Sequence, residues 1–276
     1  MRVSLLGCLV DNVSMKETVS RVVQLINEGG PHQHVVVNVD KIVKANRDPR
    51  LRDIINECAL INADGMPVLW ASRLLGRPLK ERVTGIDLFI RLLEVSTEKG
   101  WRVFFLGARE MVVSKMVALF QERYQSLKIA GYRNGYWQAE EEQSVVNEIK
   151  KSRADILFVG ISSPKKEEFL EKYLEDVRVP FAMGVGGAFD VVVGVTKRAP
   201  TWMQEMGLEW FFRFVQEPKR LFRRYFVDSI QFFCLLAKEM VPCTKSLKAW
   251  GLSIDWLKAR VKRYIAKTTK GNARSS

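Results

Sequence analysis

The sequence predicts an α/β fold: a doubly wound, mostly parallel, Rossmann-like sheet with a helical, basic C-terminal appendage. Two observations lead to this prediction. Over residues 1–195, short apolar runs alternate with segments whose apolar residues recur at helical spacing, which is typical of parallel strands joined by helices. After residue 200 the alternation stops, and the chain becomes helical in pattern, rich in aromatic residues and strongly basic.

The predicted elements follow one another in strict order. Short apolar or β-branched runs predict strands at residues 3–6, 34–38, 59–62, 101–106, 127–130, 156–159 and 181–183. Apolar residues spaced by three and four predict helices at residues 13–28, 50–58, 87–99, 110–124, 139–152 and 165–174. Ser14 and Glu17 form a capping box for the first helix, and Asp40 stands where it can cap a helix after the second strand. Crossovers in such a fold are right-handed, and ligands bind at the carboxyl ends of the strands.

The charge of the chain is concentrated in its last third. The 276 residues carry 44 Lys and Arg against 31 Asp and Glu, a net charge of +13. Residues 1–195 contribute +2 of this charge, and residues 196–276 contribute +11. Such asymmetry indicates a polyanionic partner, either nucleic acid or an anionic membrane surface.

The basic region has the pattern of amphipathic helices, with Trp and Phe among Lys and Arg over residues 201–238 and 245–267. This composition suits a bilayer interface, although core packing is the alternative for about half of the aromatic residues. No run reaches the roughly 18–20 uncharged apolar residues of a membrane-spanning helix, and we see neither a signal peptide nor a CxxC pair. We expect a cytoplasmic protein, peripheral on the inner face of the plasma membrane. Its parts would be a catalytic α/β domain (1–195), a helical membrane-associated appendage (196–244) and a basic amphipathic tail (245–276).

A candidate site lies where predicted strands end in polar residues. Asp64 stands in an Asp-Gly turn after one strand, Asn38 ends another, and Arg82 follows about one short helix later. Because the carboxyl ends of parallel strands share one edge, these three residues would lie close together. Each has a structural alternative: Asp64 and Asn38 can cap turns or helices, and Arg82 can pair with Glu81 or Asp87. From position alone, a functional role and a capping role are about equally supported for Asp64.

Glycine turns follow three other predicted strands, at Gly107, at Gly160 and at residues 184–187. Their backbone N–H groups could bind a diphosphate. None matches the dinucleotide fingerprint or the P-loop, so a tight strand-to-helix turn is the better interpretation of each one alone. Ser163 and Pro164 open a helix in the manner of an N-cap and a first-turn proline.

Taken together, the motifs resemble the WecG/TagA/CpsF glycosyltransferase family, glycosyltransferase family 26, over about residues 1–240. The motifs that carry the resemblance are Val37-Asn38-Val39-Asp40, Ala63-Asp64-Gly65-Met66-Pro67-Val68, Arg82-Val83-Thr84-Gly85-Ile86-Asp87, Pro164-Lys165-Lys166-Glu167, Gly184-Val185-Gly186-Gly187-Ala188-Phe189-Asp190, Lys197-Arg198-Ala199-Pro200, Gly207-Leu208-Glu209-Trp210 and the arginine series from Arg213 to Tyr225. The resemblance implies transfer of a sugar from a UDP donor to a polyprenyl-diphosphate-linked sugar at the cytoplasmic membrane face. The anomeric centre would be inverted without a metal or another cofactor, in the synthesis of teichoic acid, common antigen or exopolysaccharide.

The resemblance also implies roles for individual residues. Asp64 matches the base that deprotonates the acceptor hydroxyl, and Asn38 and Arg82 match residues that orient sugar and diphosphate. Appendage arginines that meet the lipid diphosphate are matched by Arg213, Arg220 and Arg223. A looser match places the nucleotide near Gly107, Gly184, Gly186, Gly187 and Asp190. Without a metal, guanidinium groups would have to offset the diphosphate charge.

Two residues depart from the family pattern at positions that the resemblance places near the donor sugar. Val36 stands where the family often has Thr, and Lys166 stands where it often has Gln. We therefore expect an altered donor choice among N-acetylmannosamine, its uronic acid and glucose, because Lys166 would suit a carboxylate or an added phosphate contact. The expected partners are a UDP-sugar, the polyprenyl-diphosphate acceptor, an anionic membrane surface and, as in some family members, further copies of the chain.

Two other functions remain open at this point. The basic C-terminal helices could bind nucleic acid, although no helix-turn-helix or RNP-type signature is present. A catalytically inactive scaffold for polyprenyl carriers is the third hypothesis, and the retention of Asp64, Asn38 and Arg82 argues against it.

Overall fold

The computed structural model describes residues 1–222 and 226–240, with the side chains of Glu205, Lys219 and Arg220 left out of the description. Its strands are β1 (Arg2–Leu5), β2 (Cys8–Asp11), β3 (His32–Val37), β4 (Leu60–Ala63), β5 (Arg102–Gly107), β6 (Lys128–Arg133), β7 (Ile156–Gly160) and β8 (Phe181–Gly184). Its helices up to residue 177 are α1 (Met15–Glu28), α2 (Val39–Arg47), α3 (Pro49–Glu57), α4 (Met66–Leu74), α5 (Gly85–Lys99), α6 (Glu110–Arg123), α7 (Glu142–Ser152) and α8 (Lys165–Val177). Later helices are α9 (Ala188–Val192), α10 (Thr201–Glu205), α11 (Glu209–Gln216), α12 (Pro218–Phe222) and α13 (Asp228–Met240), and a 3-10 turn at Ala139–Glu141 precedes α7.

Six strands form one parallel sheet in the order β4-β3-β8-β7-β5-β6. Side chains alternate between its two faces, so Val103 and Phe105 join the core beneath α1, α5 and α6, whereas Phe104 and Leu106 join the core beneath α7 and α8. Helices cover both faces, which confirms the predicted doubly wound α/β fold. All seven predicted strands are present, with ends shifted by up to three residues.

Three features of the fold differ from the sequence predictions or were missing from them. Strand β2, which pairs antiparallel with β1 outside the main sheet, was not predicted, and neither was α9. These two elements have four and five residues, too few to show a clear period. The short helix expected between Asp64 and Arg82 is present as α4. The cap of α2 was assigned to Asp40 and is Asn38 instead, because only Asn38 has the extended backbone of an N-cap.

The last described helix packs on the α/β body. Phe232 and Leu236 of α13 are buried in the core that also holds α2, α3 and α4, and Asp228 pairs with Arg47 at 3.0 Å. The aromatic ring of Phe232 therefore belongs to the core, which is the alternative to a membrane face considered for the appendage.

By internal contacts the chain divides into a compact unit, Met1–Ala237, and a second unit, Lys238–Ser276, of which the structure describes only residues 238–240. The predicted divisions at 195 and 244 stay predictions, and the tail at 245–276 lies outside the described residues. Within the described ranges, no helix is both long enough and apolar enough to cross a bilayer.

Candidate active site

The carboxyl ends of five neighbouring strands bring the predicted site residues to one edge of the sheet. Following the strand order, these ends are marked by Asp64, Asn38, Gly184, Gly160 and Gly107. Strands β3 and β4 pair in register with Val37 opposite Ala63, so Asn38 and Asp64 leave the sheet side by side. The common edge expected from the sequence is therefore present.

Backbone hydrogen bonds fix the positions of Asp64 and of Ala63 before it. Its N–H donates to the Val37 carbonyl at 2.8 Å, and the Ala63 carbonyl accepts from the Val83 N–H at 3.0 Å. Gly65, at a φ of 100°, then turns the chain into α4 and is itself the N-cap, without a side-chain cap. The interpretation of Asp64 as the cap of this helix is therefore wrong, and its half-buried carboxylate instead accepts from the Gly85 N–H.

Burial, one carboxylate, two guanidinium groups and the Gly85 N–H all act on the pKa of Asp64. Burial raises it above its ordinary value, and the nearby carboxylate of Glu209 raises it further. Arg82 and Arg213 oppose these effects without cancelling them. A carboxylate with a raised pKa, beside two guanidinium groups, has the properties of a general base that works next to an anion.

Arg82 stands in a loop that is fixed to its surroundings. Thr84 caps α5, accepting from the Asp87 N–H at 3.1 Å and donating to the Asp87 carboxylate. The two surface partners considered for Arg82 are engaged elsewhere, since Glu81 accepts from a backbone N–H in α1 and Asp87 binds Arg198. Arg82 instead acts on Asp64, whose pKa its positive charge lowers.

The Asn38 side chain caps a helix, which is the structural alternative to a role in the site that its position in the sequence allowed. Its Oδ1 accepts from the Lys41 N–H at 3.0 Å, which caps α2. This bond fixes the amide at the end of β3, beside Asp64. The neighbouring Val36 is half-buried, and its methyl groups face the position where a Cβ on Gly85 would stand, 3.6 Å away.

A buried cluster of three charges lies beneath the same edge. The Lys41 Nζ is 2.6 Å from the Glu167 Oε1, and the Lys166 Nζ is 3.2 Å from the same oxygen. All three side chains are nearly inaccessible, and the Lys166 methylenes pack on Gly184, where an added Cβ would lie 2.7 Å from the Lys166 Cε. Sequence reasoning missed Lys41 altogether and named Glu167 only as part of a motif, because these partners are 126 residues apart.

The cluster holds one net positive charge. Burial opposes ionisation of Glu167, but Lys41 and Lys166 outweigh it and lower the pKa of this carboxyl to about 2. Burial and the charge of Lys41 lower the pKa of Lys166 to about 8. The helix that carries Lys166 and Glu167 begins at Lys165, and Pro164 stands at its N-cap without a side-chain cap, so the expected Ser163 cap is wrong.

The glycine turns are explained first by close packing. A Cβ on Gly107 would lie 2.5 Å from the Gly160 backbone, and one on Gly160 would lie 2.6 Å from the Phe189 ring. The Gly186 N–H donates to the Val159 carbonyl at 3.3 Å. Nothing lies within 4 Å of a Cβ on Gly186 or Gly187.

The nucleotide-binding role of these glycines and of Asp190 stays a prediction. Asp190 is half-buried on the five-residue helix α9.

Helices α10 and α11 complete the site. An added Cβ on Gly207 would lie 2.6 Å from the Met66 Cγ, so the turn before α11 abuts the start of α4. Arg213 pairs with Glu209 at 3.1 Å, and both influence Asp64. The structure thus brings the predicted Arg213 into the site and adds Glu209, which sequence reasoning had given no role. The Arg220 side chain and the whole of Arg223 lie outside the described part of the chain.

No group of three or more His, Cys, Asp or Glu side chains within residues 1–222 and 226–240 could hold a metal ion. The absence of a cofactor stays a prediction.

Comparisons with known proteins show the family to which the chain is related. The model of the glycosyl transferase WecG/TagA/CpsF family matches residues 3–246. Two relatives named N-acetylglucosaminyldiphosphoundecaprenol N-acetyl-β-D-mannosaminyltransferase come from Bacillus. The Bacillus spizizenii protein is 34% identical over 67% of this chain and 72% of its own length, and the Bacillus subtilis protein is 35% identical over 67% and 71%. A Staphylococcus aureus protein of the same name is 31% identical over 88% of this chain and 96% of its own.

Proposed function

Because the chain belongs to the WecG/TagA/CpsF glycosyltransferase family, we propose that it moves a sugar from a UDP donor to a sugar carried on a polyprenyl diphosphate. The relatives' name, which contains an N-acetylglucosaminyl diphosphate acceptor and an N-acetylmannosaminyl product, supports an acceptor and a donor of these classes. The observation that carries the proposal is the Asp64 carboxylate, held at the end of β4 within the influence of Arg82 and Arg213.

The proposed reaction is a single displacement. Asp64 accepts the proton of the acceptor hydroxyl, whose oxygen attacks the anomeric carbon of the donor sugar. A carbon–oxygen bond forms on one face as the bond to the UDP oxygen breaks on the other, so the anomeric configuration is inverted. The electron pair leaves with UDP, and Arg82 offsets the charge that collects on the diphosphate. In this proposal no metal ion takes part.

The appendage contributes Arg213 to the proposed mechanism, and Glu209 pairs with this arginine. The Arg213 guanidinium, which is one-third exposed, suits the diphosphate of the lipid acceptor. Arg220 and Arg223 would add to it, as the family resemblance implies. The exposed aromatic side chains of α10 to α13, among them Trp202, Phe211 and Phe233, support docking on an anionic inner leaflet.

Donor choice is the part of the proposal that concerns Val36 and Lys166. Lys166 already shares Glu167 with Lys41, so the group as a whole presents one positive charge beneath the ends of β3 and β8. That charge supports a donor with a carboxylate, such as the uronic acid of N-acetylmannosamine, or an added phosphate contact. Val36 presents methyl groups, which face Gly85, where the family often has the hydroxyl of a Thr.

The test is turnover of a panel of UDP-sugars by the full chain, with a short-chain prenyl-diphosphate-linked N-acetylglucosamine as acceptor. We expect one donor to be consumed with release of UDP, and Asp64→Asn to lower the rate about 100-fold or more while leaving the thermal unfolding curve unchanged. Full activity of Asp64→Asn would overturn the assignment of the base. Salt-sensitive binding to nucleic acid without any turnover would favour the nucleic-acid alternative.

A further inference from the structure

Helix α4 has one apolar face that the described chain leaves open. Met66, Trp70 and Leu74 are spaced by four residues and therefore lie along one side of the helix. Trp70 is 47% exposed and Leu74 is 60% exposed. The opposite side, with Val68 and Leu69, is buried in the core. We call the exposed side, Met66, Trp70 and Leu74, the α4 stripe.

The α4 stripe begins at the candidate base. Met66 is the first residue of α4 and follows Asp64 by two positions. Its side chain abuts Gly207, and the neighbouring Met206 is 62% exposed. From Met66 to Leu74 the helix rises about 12 Å. An apolar path therefore leads from the reacting centre to the outer end of α4.

The size and the surroundings of the stripe indicate what covers it. Three side chains and Met206 fall well short of the roughly 800 Å² per partner that a stable dimer interface requires. Cationic side chains, Arg82 and Arg213, act on Asp64 at the inner end of the stripe. An occupant that is apolar, narrow and joined to a negatively charged group fits this combination better than a flat protein surface does.

We propose that the α4 stripe binds the first isoprene units of the polyprenyl chain of the acceptor, an inference that rests on the proposed function. With the acceptor hydroxyl at Asp64, the diphosphate lies on the far side of the same sugar ring, within reach of Arg213. The prenyl chain starts at that diphosphate, so its first units must leave the site along a neighbouring surface. The α4 stripe is an apolar surface that starts there and leads outward along the helix.

The test compares two acceptors that differ only in their tail. N-acetylglucosamine diphosphate is linked either to farnesyl or to ethyl, and both are used in solution without vesicles or detergent. The variant is Trp70→Ser with Leu74→Ser, and the matched control is Leu119→Ser, which removes a partly exposed Leu from α6. Dissociation constants are measured by titration calorimetry, and kcat/KM is measured alongside.

We expect the double variant to bind the farnesyl acceptor about tenfold more weakly, because burial of apolar side chains against the tail is lost. Its affinity for the ethyl acceptor should not change, and Leu119→Ser should behave as the unmodified chain. Equal affinities of variant and unmodified chain for the farnesyl acceptor would overturn the proposal. So would an equal loss with both acceptors, or a loss seen only when vesicles are present.

Two further outcomes separate this proposal from its alternatives. If the double variant changes the sedimentation coefficient of the protein, the stripe is an interface between copies and the proposal is wrong. If the unmodified chain binds the farnesyl acceptor through the stripe but turns over no UDP-sugar, the stripe stands as a prenyl site and the proposed reaction fails.

Discussion

The Glu209 carboxylate lies 3.1 Å from the Arg213 guanidinium, and the two groups act on Asp64 with opposite sign. Glu209 raises the pKa of Asp64, and Arg213 lowers it. Both residues belong to α11, whereas Asp64 belongs to the sheet. The proton affinity of the proposed base is therefore set in part by the appendage. An acceptor diphosphate that takes Arg213 would compete with Glu209 for the same donors.

Replacing Glu209 by Gln should shift the pH dependence of the reaction. Loss of this negative charge lowers the pKa of Asp64, so the base stays ionised to lower pH. The acid limb of the kcat/KM profile should move down by about half a unit to one unit. Rates measured from pH 4.5 to 8 would show the shift. Glu94→Gln, which breaks the exposed pair with Arg91 on α5, is the control, and an unchanged or upward-shifted limb for Glu209→Gln would contradict the prediction.

The cluster of Lys41, Glu167 and Lys166 should be costly to break. Glu167→Gln leaves two buried ammonium groups without their common partner, so we expect the free energy of unfolding to fall by about 3–5 kcal/mol. Lys41→Met should cost less, since Glu167 keeps Lys166. Urea unfolding at pH 7 measures both changes. Lys80→Met, which removes an exposed partner of Glu17, should have little effect, and a Glu167→Gln protein as stable as this control would contradict the expectation.

His34 should make the protein sensitive to mild acid. It is buried on β3, next to the edge strand β4, its Nε2 is 2.8 Å from the Asn62 Oδ1, and burial lowers its pKa from 6.5 to about 4. Between these two values the unfolded chain binds a proton that the folded chain does not, so stability falls as the pH drops from about 6.5 to 4. Unfolding midpoints in urea across this range would show the loss, and His34→Gln should flatten it. A midpoint that falls equally in the variant would contradict this account.

Donor preference should respond to the two residues that depart from the family pattern. In the double variant Val36→Thr with Lys166→Gln, turnover should shift from donors whose sugar carries a carboxylate towards UDP-N-acetylmannosamine, whose sugar is neutral. The reason is that the local positive charge is removed and a hydroxyl is added. The ratio of kcat/KM for the two donors is the measurement. Lys165→Gln, which removes the neighbouring lysine that lies over the Trp137 ring, controls for charge alone. An unchanged ratio of kcat/KM for the two donors would contradict this prediction.

The sheet could be predicted because buried parallel strands are continuous apolar runs that end in small or polar residues. This pattern placed Asp64, Asn38 and the glycine turns on one edge before any contact was known. The capping role of Asp64 could not be decided from sequence, because Gly65 takes the N-cap through its backbone conformation. Lys41 could not be found either, since its partner Glu167 comes from a distant helix.

The anchoring of α10 and α11 on the body has a consequence for exchanging parts between relatives. Arg198 binds Asp87 beside the Arg82 loop, the Gly207 turn rests on Met66, and Gln216 exchanges two hydrogen bonds with the Lys197 backbone. In a chimera that joins another relative's appendage to this body, residues of that appendage would replace Glu209 and Arg213. The pKa of Asp64 would then depend on charges from a different protein. Such grafts should succeed only when the junction is placed before Lys197 and the docking surface around Met66 and Asp87 is transferred with it.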